Sequence, residues 1–429
     1  MNYKKHGRRL CFYVLTILLL IALSEVICYL AFDLVFGRAY SLSAIQRRRA
    51  GLLAQSTREK DLHVPGTVLH PYAGYVYNPD QNSQAFIDFH KYPVSAYGLI
   101  DDSTPDRTVP PGEYVIAITG GSVAFWFSVH GWPHLQGELQ AHPFFANKQI
   151  RLLRLALPGY KQPQQFMLLA YLLALGMHVD MVINLDGFNE VALPPNNNMT
   201  HGVALHYPRN WHFLASQVPD TAGKLQIAEI ARAKVRRGKL AGCANLFPLR
   251  YSVTCNLFWL WLDRWLESGI TEKEAQLKPQ AGPGRFHTCG PVREYADKQA
   301  LYTECVNIWY LASVQMAKLC RANGIAYCHF LQPNQYVKGS KPMGAEEKAR
   351  ALNANSPYRE PVERGYPLLR DKGKELVQQN VPFADLCMVF HDISEAVYQD
   401  DCCHFNAFGN AVLAQAVADY IISSQATGP

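Results

Sequence analysis

Short apolar runs that end in glycine, proline or a polar residue constrain this chain more than any other feature. Tyr114-Val-Ile-Ala-Ile-Thr119 ends in Gly120-Gly121, Ile150 to Leu157 ends in Pro158-Gly159, and Val179 to Leu185 ends in Asp186-Gly187. Ile325 to Phe330 leads into Gln332-Pro-Asn334, and a last run covers about Phe383 to Met388. Runs this short, bounded by turn residues, read as buried strands rather than helices. Helical stretches lie between or after them: Pro163 to about Met177, Glu294 to Asn323 with Gly324 as a stop, Val362 to Gln379, and Ala407 to Ser424. Strand, helix and strand at this spacing predict βαβ units and a parallel sheet, an α/β fold.

The alternation covers residues 111–429 and lapses between about 195 and 290. That stretch holds Pro194-Pro-Asn-Asn-Asn198, a basic helix-like run from Lys224 to Lys239, and the aromatic segment Phe258 to Trp265. It reads as an insertion or cap over the sheet, with the tryptophans as packed core. Residues 37–110 form a polar, Pro- and Tyr-rich lead-in with little periodicity. Asn198-Met-Thr200 is a glycosylation sequon, informative only in a eukaryotic source.

At the N-terminus a basic segment, residues 1–9, precedes an apolar one, residues 10–36, interrupted by Ser24 and Glu25. The whole of Leu10 to Phe36 is long enough to span a bilayer, and no clean small-x-small site follows, so an uncleaved signal-anchor is expected. Glu25 would be costly in the bilayer unless it faces a partner helix or is protonated. Arg38 and Arg47 to Arg49 lie beyond the segment and nearly balance the N-terminal charges, so orientation is not set by them. Nine cysteines remain beyond Cys11 and Cys28. That many favours an oxidising, extracytoplasmic compartment, periplasmic in a bacterium, with Cys243–Cys255, Cys289–Cys305, and Cys387 with Cys402 or Cys403 as candidate local bridges. The net charge is +6, of which Lys4, Lys5, Arg8 and Arg9 supply four. The remainder is close to neutral, which argues against a nucleic-acid partner. Arg47 to Arg49 and Arg236-Arg237 read as solvated surface, with membrane headgroups the alternative partner.

Parallel sheets place their sites at the carboxyl ends of strands. Ser122 follows Gly120-Gly121 there, near the start of a helix, where its backbone N–H can face a developing oxyanion. Gly159 allows a close backbone approach, and Asn189 can supply a side-chain amide. Asp401-Cys-Cys-His404 precedes the last helix and offers a base beside a carboxylate that would fix its tautomer. No Cys/His spacing reads as a zinc site, and no organic cofactor is implied.

In order and context these blocks resemble the SGNH (GDSL-like) hydrolase superfamily, and its membrane-anchored branch of alginate O-acetylation-type proteins in particular. Thr119-Gly-Gly-Ser-Val-Ala124 is similar to the nucleophile block, with Gly121 in place of the usual Asp. His70-Pro-Tyr-Ala-Gly-Tyr75 and Gln332-Pro-Asn334 also resemble that branch, and Glu190 stands where block three usually has Asp, a departure expected to affect packing. The resemblance implies a three-layer α/β/α, flavodoxin-like sandwich behind one N-terminal transmembrane helix. It implies Ser122, Asp401 and His404 as catalytic triad, and the Ser122 N–H, Gly159 N–H and Asn189 amide as oxyanion hole, with no metal or cofactor. The expected activity is hydrolysis of an acyl ester on a cell-surface glycan or lipid. The alternatives are O-acetyl transfer to a polysaccharide beside a multispanning acyltransferase, and non-enzymatic polysaccharide binding or assembly.

Overall fold

The computed structural model describes residues 2–61, 66–79, 85–87, 90–100, 108–215, 221–276 and 286–426. The chain forms two compact units, Met1–Val64 with Ser216–Lys278, and Pro65–Ala215 with Pro279–Pro429. The expected insertion at 195–290 is thus divided between them.

The larger unit is built on five parallel strands: β1 Glu113–Gly120, β2 Gln149–Arg154, β3 Met181–Asp186, β4 Ala326–Leu331 and β5 Phe383–Asp385. Their order is β2-β1-β3-β4-β5, the flavodoxin-like arrangement. Each strand lies where the apolar runs predicted one. Five helices cover the sheet: α1 Trp132–Ala141, α2 Gln164–Ala174, α3 Lys298–Ala322, α4 Arg359–Gln378 and α5 Ala407–Ala426.

Strand order explains the layers. The chain steps one way from β1 to β2, then returns past β1 to β3 and continues to β4 and β5. Right-handed crossovers therefore set α1 on one face and α2, α3 and α4 on the other. The packing agrees, with α1 against α5, and α3 against both α2 and α4. Covered on both faces, β3 is buried at all six residues. The ends of α3 are legible locally: Asp297 accepts from the Ala300 N–H at 2.8 Å as N-cap, and Gly324, at φ +70°, follows the helix as its stop.

The lead-in carries more regular structure than its weak periodicity predicts. Thr67–His70 pairs antiparallel with Gly74–Tyr77, and Ala85–Ile87 with His90–Tyr92.

The smaller unit joins helices Asn2–Phe36 and Leu42–Asp61 to two long helices, Thr221–Ala244 and Val253–Gln276. Phe32, Ile45, Ala241, Ala244, Trp259 and Leu260 form its core. Two expectations change here. Of the aromatic segment only Trp259 is buried among the tryptophans, while Trp261 and Trp265 are exposed, because the segment is one helix with two faces. The basic clusters are not simply solvated either. Arg48 and Arg237 both bond Asp263 and Glu267, and Arg49 is fully buried, 2.5 Å from Asn256 Oδ1 and stacked over Trp259 at 4.6 Å.

Phe12–Phe36, at a mean hydropathy of 2.5, is long and apolar enough to cross a membrane. Among the described residues every cysteine from Cys28 to Cys403 is a free thiol, so none of the three local bridges forms. Six of these ten are buried, where a thiol packs as a small apolar group. Burial pushes the Cys305, Cys320 and Cys328 thiols up to about 12.

Candidate active site

Three strand ends converge at β1, the strand where the direction of travel reverses. β1 closes on Gly120 at φ +144°, and a Cβ there would lie 2.1 Å from the Leu185 carbonyl oxygen. At Gly121 a Cβ would lie 2.1 Å from Asn189 Nδ2. The absent side chain at 121 is what lets the Asn189 amide stand beside the first turn of helix Ser122–Trp126. β2 leads to Gly159 at φ +85°, where a Cβ would meet the Tyr75 hydroxyl at 2.8 Å. β3 leads to helix Phe188–Leu193, which carries Asn189. Asn189 Nδ2 donates one N–H to the Tyr160 carbonyl at 2.7 Å, and the group carries a second.

The fourth contribution comes from the loop before α5. His404 Nε2 lies 2.7 Å from Ser122 Oγ, and its Nδ1 lies 2.5 Å from Asp400 Oδ2. The carboxylate beside His404 is therefore Asp400, not the Asp401 expected from the sequence. Asp400 points into its own loop, where Oδ1 accepts from the Cys402, Cys403 and His404 N–H groups at 3.0, 3.0 and 3.2 Å. One residue later the side chain points away, and the Asp401 carboxylate accepts from Asn353 Nδ2 at 3.1 Å. The Asp that faces His404 is the one whose carboxylate closes a turn on the N–H groups two and three residues ahead, a distinction made by the folded loop and absent from the Asp-Asp sequence. Burial alone would raise the Asp400 carboxyl, but the hydrogen bond and charge of His404, with the loop N–H groups, bring it down to about 2.

The Gln332-Pro-Asn334 segment braces this loop. Asn334 Nδ2 donates to the Cys402 carbonyl at 3.0 Å, Gln335 Nε2 to the Asp400 carbonyl at 3.1 Å, and the Tyr336 hydroxyl to the Asp401 carbonyl at 3.1 Å. Glu190 plays the matching part under the other wall. Its carboxylate accepts from the Gly187 N–H at 2.8 Å and the Gln162 N–H at 2.9 Å, tying the loop after β2 to the loop after β3. Burial, with the Asp186 charge beside it, pushes that carboxyl up to about 8.

Ser122, Gly159, Asn189 and His404 all line one cleft of about 490 Å³, walled by Tyr75, Trp126, Phe188 and Tyr358. A larger depression of about 1040 Å³ lies between Tyr336–Lys341 and α4, and holds none of these four. Cys402, Cys403 and His404 place three metal-type donor atoms within 4.8 Å of one another, but both ring nitrogens of His404 are engaged, and burial raises the Cys403 thiol strongly.

One arrangement carries no signal in the sequence. Ser313 Oγ lies 2.7 Å from His329 Nδ1, and His329 Nε2 lies 2.8 Å from Asp186 Oδ1. Trp309 Nε1 also donates to Asp186, at 2.6 Å. Ser313 and His329 are fully buried and Asp186 nearly so, so this second Ser–His–Asp relay cannot meet a substrate.

The fold and the cleft together define a flavodoxin-like α/β protein with a serine–histidine–aspartate relay at the switch point of its sheet. No protein-family profile matches the chain, and no curated protein does. Among solved structures the chain is similar to a GDSL-like lipase from Bacteroides thetaiotaomicron VPI-5482 at 8% identity and a TM-score of 0.34, over 75% of this chain and 92% of that one. It is also similar to an acetyl xylan esterase at 12% identity and a TM-score of 0.33, over 72% of this chain and 98% of that one. Both scores are low, and the functional reading rests on the cleft.

Proposed function

We propose that the chain is a membrane-anchored serine hydrolase of the SGNH type, cleaving acyl esters through a seryl ester. The observation that carries this is the bond from Ser122 Oγ to His404 Nε2 at 2.7 Å, with Asp400 on the other ring nitrogen, inside a cleft that also holds Gly159 and Asn189.

Asp400 keeps the proton on Nδ1, so Nε2 is free to accept. Ser122 Oγ attacks the ester carbonyl carbon as His404 Nε2 takes the hydroxyl proton. The oxygen that becomes negative is held by the Ser122 and Gly159 N–H groups and the second N–H of Asn189. Collapse expels the alcohol, which takes the proton back from His404. Water then attacks the acyl-serine by the same route, and a carboxylic acid leaves. The aromatic walls of the cleft suit a sugar ring or an acyl chain, so the substrate class is an acylated glycan or lipid. A sugar hydroxyl in place of water would make the same steps an O-acyl transfer.

A fluorophosphonate should label wild-type protein and fail to label Ser122→Ala. Labelling that survives the substitution would remove Ser122 from the mechanism. The anchor in this reading is Phe12–Phe36, with Lys4, Lys5, Arg8 and Arg9 on the cytoplasmic side, since beyond the span Arg48 is ion-paired with Asp263 and Glu267 and Arg49 is buried, which weakens the opposing cluster. A C-terminal alkaline phosphatase fusion should then be active, and an inactive, well-expressed fusion reverses the orientation.

A further inference from the structure

Glu25 lies within the apolar span Phe12–Phe36, where a lone carboxylate is costly. The structure gives it partners. Its carboxylate accepts from Ser252 Oγ and from the Val253 N–H, each at 2.5 Å, at the start of helix Val253–Gln276. Farther along, the Arg264 guanidinium lies 4.8 Å from the Phe36 ring centroid. The two contacts share one offset, 25 with 253 and 36 with 264, so the helices run side by side in the same direction over that stretch. At 1.5 Å per residue the stretch is roughly 16 Å long. Whatever depth Glu25 occupies, the turn before Val253 occupies too.

That turn is apolar and uncovered. Leu246, Phe247, Leu249 and Tyr251 are exposed, Phe247 by 78%. We propose that the hairpin of Thr221–Ala244 and Val253–Gln276 buries its tip, residues 245–251, in the hydrocarbon of the leaflet that the N-terminal helix leaves at Phe36. This rests on the reading that Phe12–Phe36 crosses the membrane, and it adds a second contact that enters one leaflet without spanning.

The polarity of the hairpin is graded as such a wedge requires. Exposed Phe258 sits above the tip, and exposed Trp261 and Trp265 fall level with the end of the span, the depth at which tryptophan is enriched. There the ion pairs begin, with Asp263 and Glu267 holding Arg48 and Arg237. Nearer the base, Lys234 pairs with Glu274 at 2.9 Å and Lys273 with Glu229. From Arg237 to its end at Ala244 the helix rises about 10 Å, and the turn 245–251 carries on beyond it. One leaflet contributes about half of the roughly 30 Å hydrocarbon core, so the lengths agree. Three cations lie at this depth, of which Arg49 is fully buried between Asn256 and the Trp259 ring. Lys239 is exposed and can extend its ammonium towards the headgroups along an apolar stem, and the Arg250 guanidinium lies 4.7 Å over the Tyr251 ring.

The test places the photo-crosslinker p-benzoylphenylalanine in turn at Leu19, Phe247 and Leu225 of the full chain, reconstituted into phosphatidylethanolamine–phosphatidylglycerol vesicles. All three positions are exposed apolar residues, so the probe disturbs no core. Leu19 reports the span, Phe247 the tip, and Leu225 the base. Lipid adducts at Phe247 in a yield matching Leu19, with none at Leu225, are expected. Adducts at Leu19 without any at Phe247 overturn the wedge and leave the anchor standing. Adducts at Phe247 to a second copy of the chain in place of lipid overturn it also, as does equal lipid labelling at Leu225, which would lay the hairpin flat. No lipid at Leu19 overturns the anchor, and the wedge with it.

Discussion

The larger unit contains two Ser–His–Asp relays, and the comparison between them separates chemistry from packing. In the cleft, His404 presents Nε2 to Ser122 and Nδ1 to Asp400; in the core, His329 presents Nδ1 to Ser313 and Nε2 to Asp186. Residue types and distances are nearly the same. Surroundings are not. Ser122 lines an open cleft together with Gly159 and Asn189, whereas Ser313 and His329 have no exposed surface. Asp186 is satisfied by Trp309, His329, Asn184 and, at 3.3 Å, Gln162, a set that leaves no lone pair for a changing charge. Burial would raise its carboxyl, but the His329 charge and these donors hold it below its ordinary value. A relay becomes a catalyst only where a substrate carbonyl can reach it; sealed from water, the same triplet fixes the core.

Breaking the two serines gives the largest contrast. Ser122→Ala should lower kcat for p-nitrophenyl acetate by on the order of 10⁶-fold. Ser313→Ala should leave kcat within about threefold and lower the melting temperature, since only a buried hydrogen bond is lost. Equal losses in kcat would abolish the distinction.

The two adjacent aspartates come next. Asp400→Asn presents an amide to Nδ1 and favours the wrong tautomer, so kcat should fall by about 10⁴-fold. Asp401→Asn should remain close to wild type in kcat. A large loss at 401 and a small one at 400 would restore the assignment read from the sequence.

Asp186→Asn sharpens the comparison from the core side. The Trp309, His329 and Asn184 groups then lose a charged acceptor, and each buried polar group left unsatisfied costs about 1–3 kcal/mol, read as a lower denaturation midpoint. The fraction that stays folded should label with fluorophosphonate at the wild-type rate. Slower labelling of folded protein would couple the two relays.

In the proposed mechanism Asn189→Ala removes an oxyanion donor and nothing that generates the nucleophile. Its kcat should fall by about 10²- to 10³-fold with KM little changed. Full kcat with a lower melting temperature would make Asn189 a turn residue only.

The smallest effect is a dependence on pH. The folded Asp400 carboxyl, at about 2, lies below its ordinary value, so the stability it contributes is present above the unfolded pKa near 3.9 and is lost as pH falls through about 2. The gap in melting temperature between wild type and Asp400→Asn should be full at pH 5 and should close on acidification. A gap that widens below pH 4 contradicts the sign.

Much of the cleft is legible in the sequence. Gly120-Gly121-Ser122, Gly159 and Asn189 each follow a strand that announces itself by a short apolar run, and parallel strands bring such ends together. Asp400 is not legible in that way, because Asp400 and Asp401 are chemically identical and only the turn decides which points inward. The His329 relay is invisible because Ser313 and His329 sit on different elements at positions that look like ordinary core.

Local sterics and periodicity control the strands, the helices between them, the glycines that clear space beside Ser122, and a span apolar enough for a bilayer, and all of these can be read from residue order alone. What depends on neighbours distant in the chain was settled by folding. Tertiary contacts joined residues 221–276 to the N-terminal helices, gave Glu25 its donors at Ser252 and Val253, left the cysteines from Cys28 to Cys403 unbridged, and chose Asp400 over Asp401. The difference is one of range. Backbone preference and hydrophobic period act over a few residues, whereas a carboxylate buried or paired finds its partner only after the chain has closed around it.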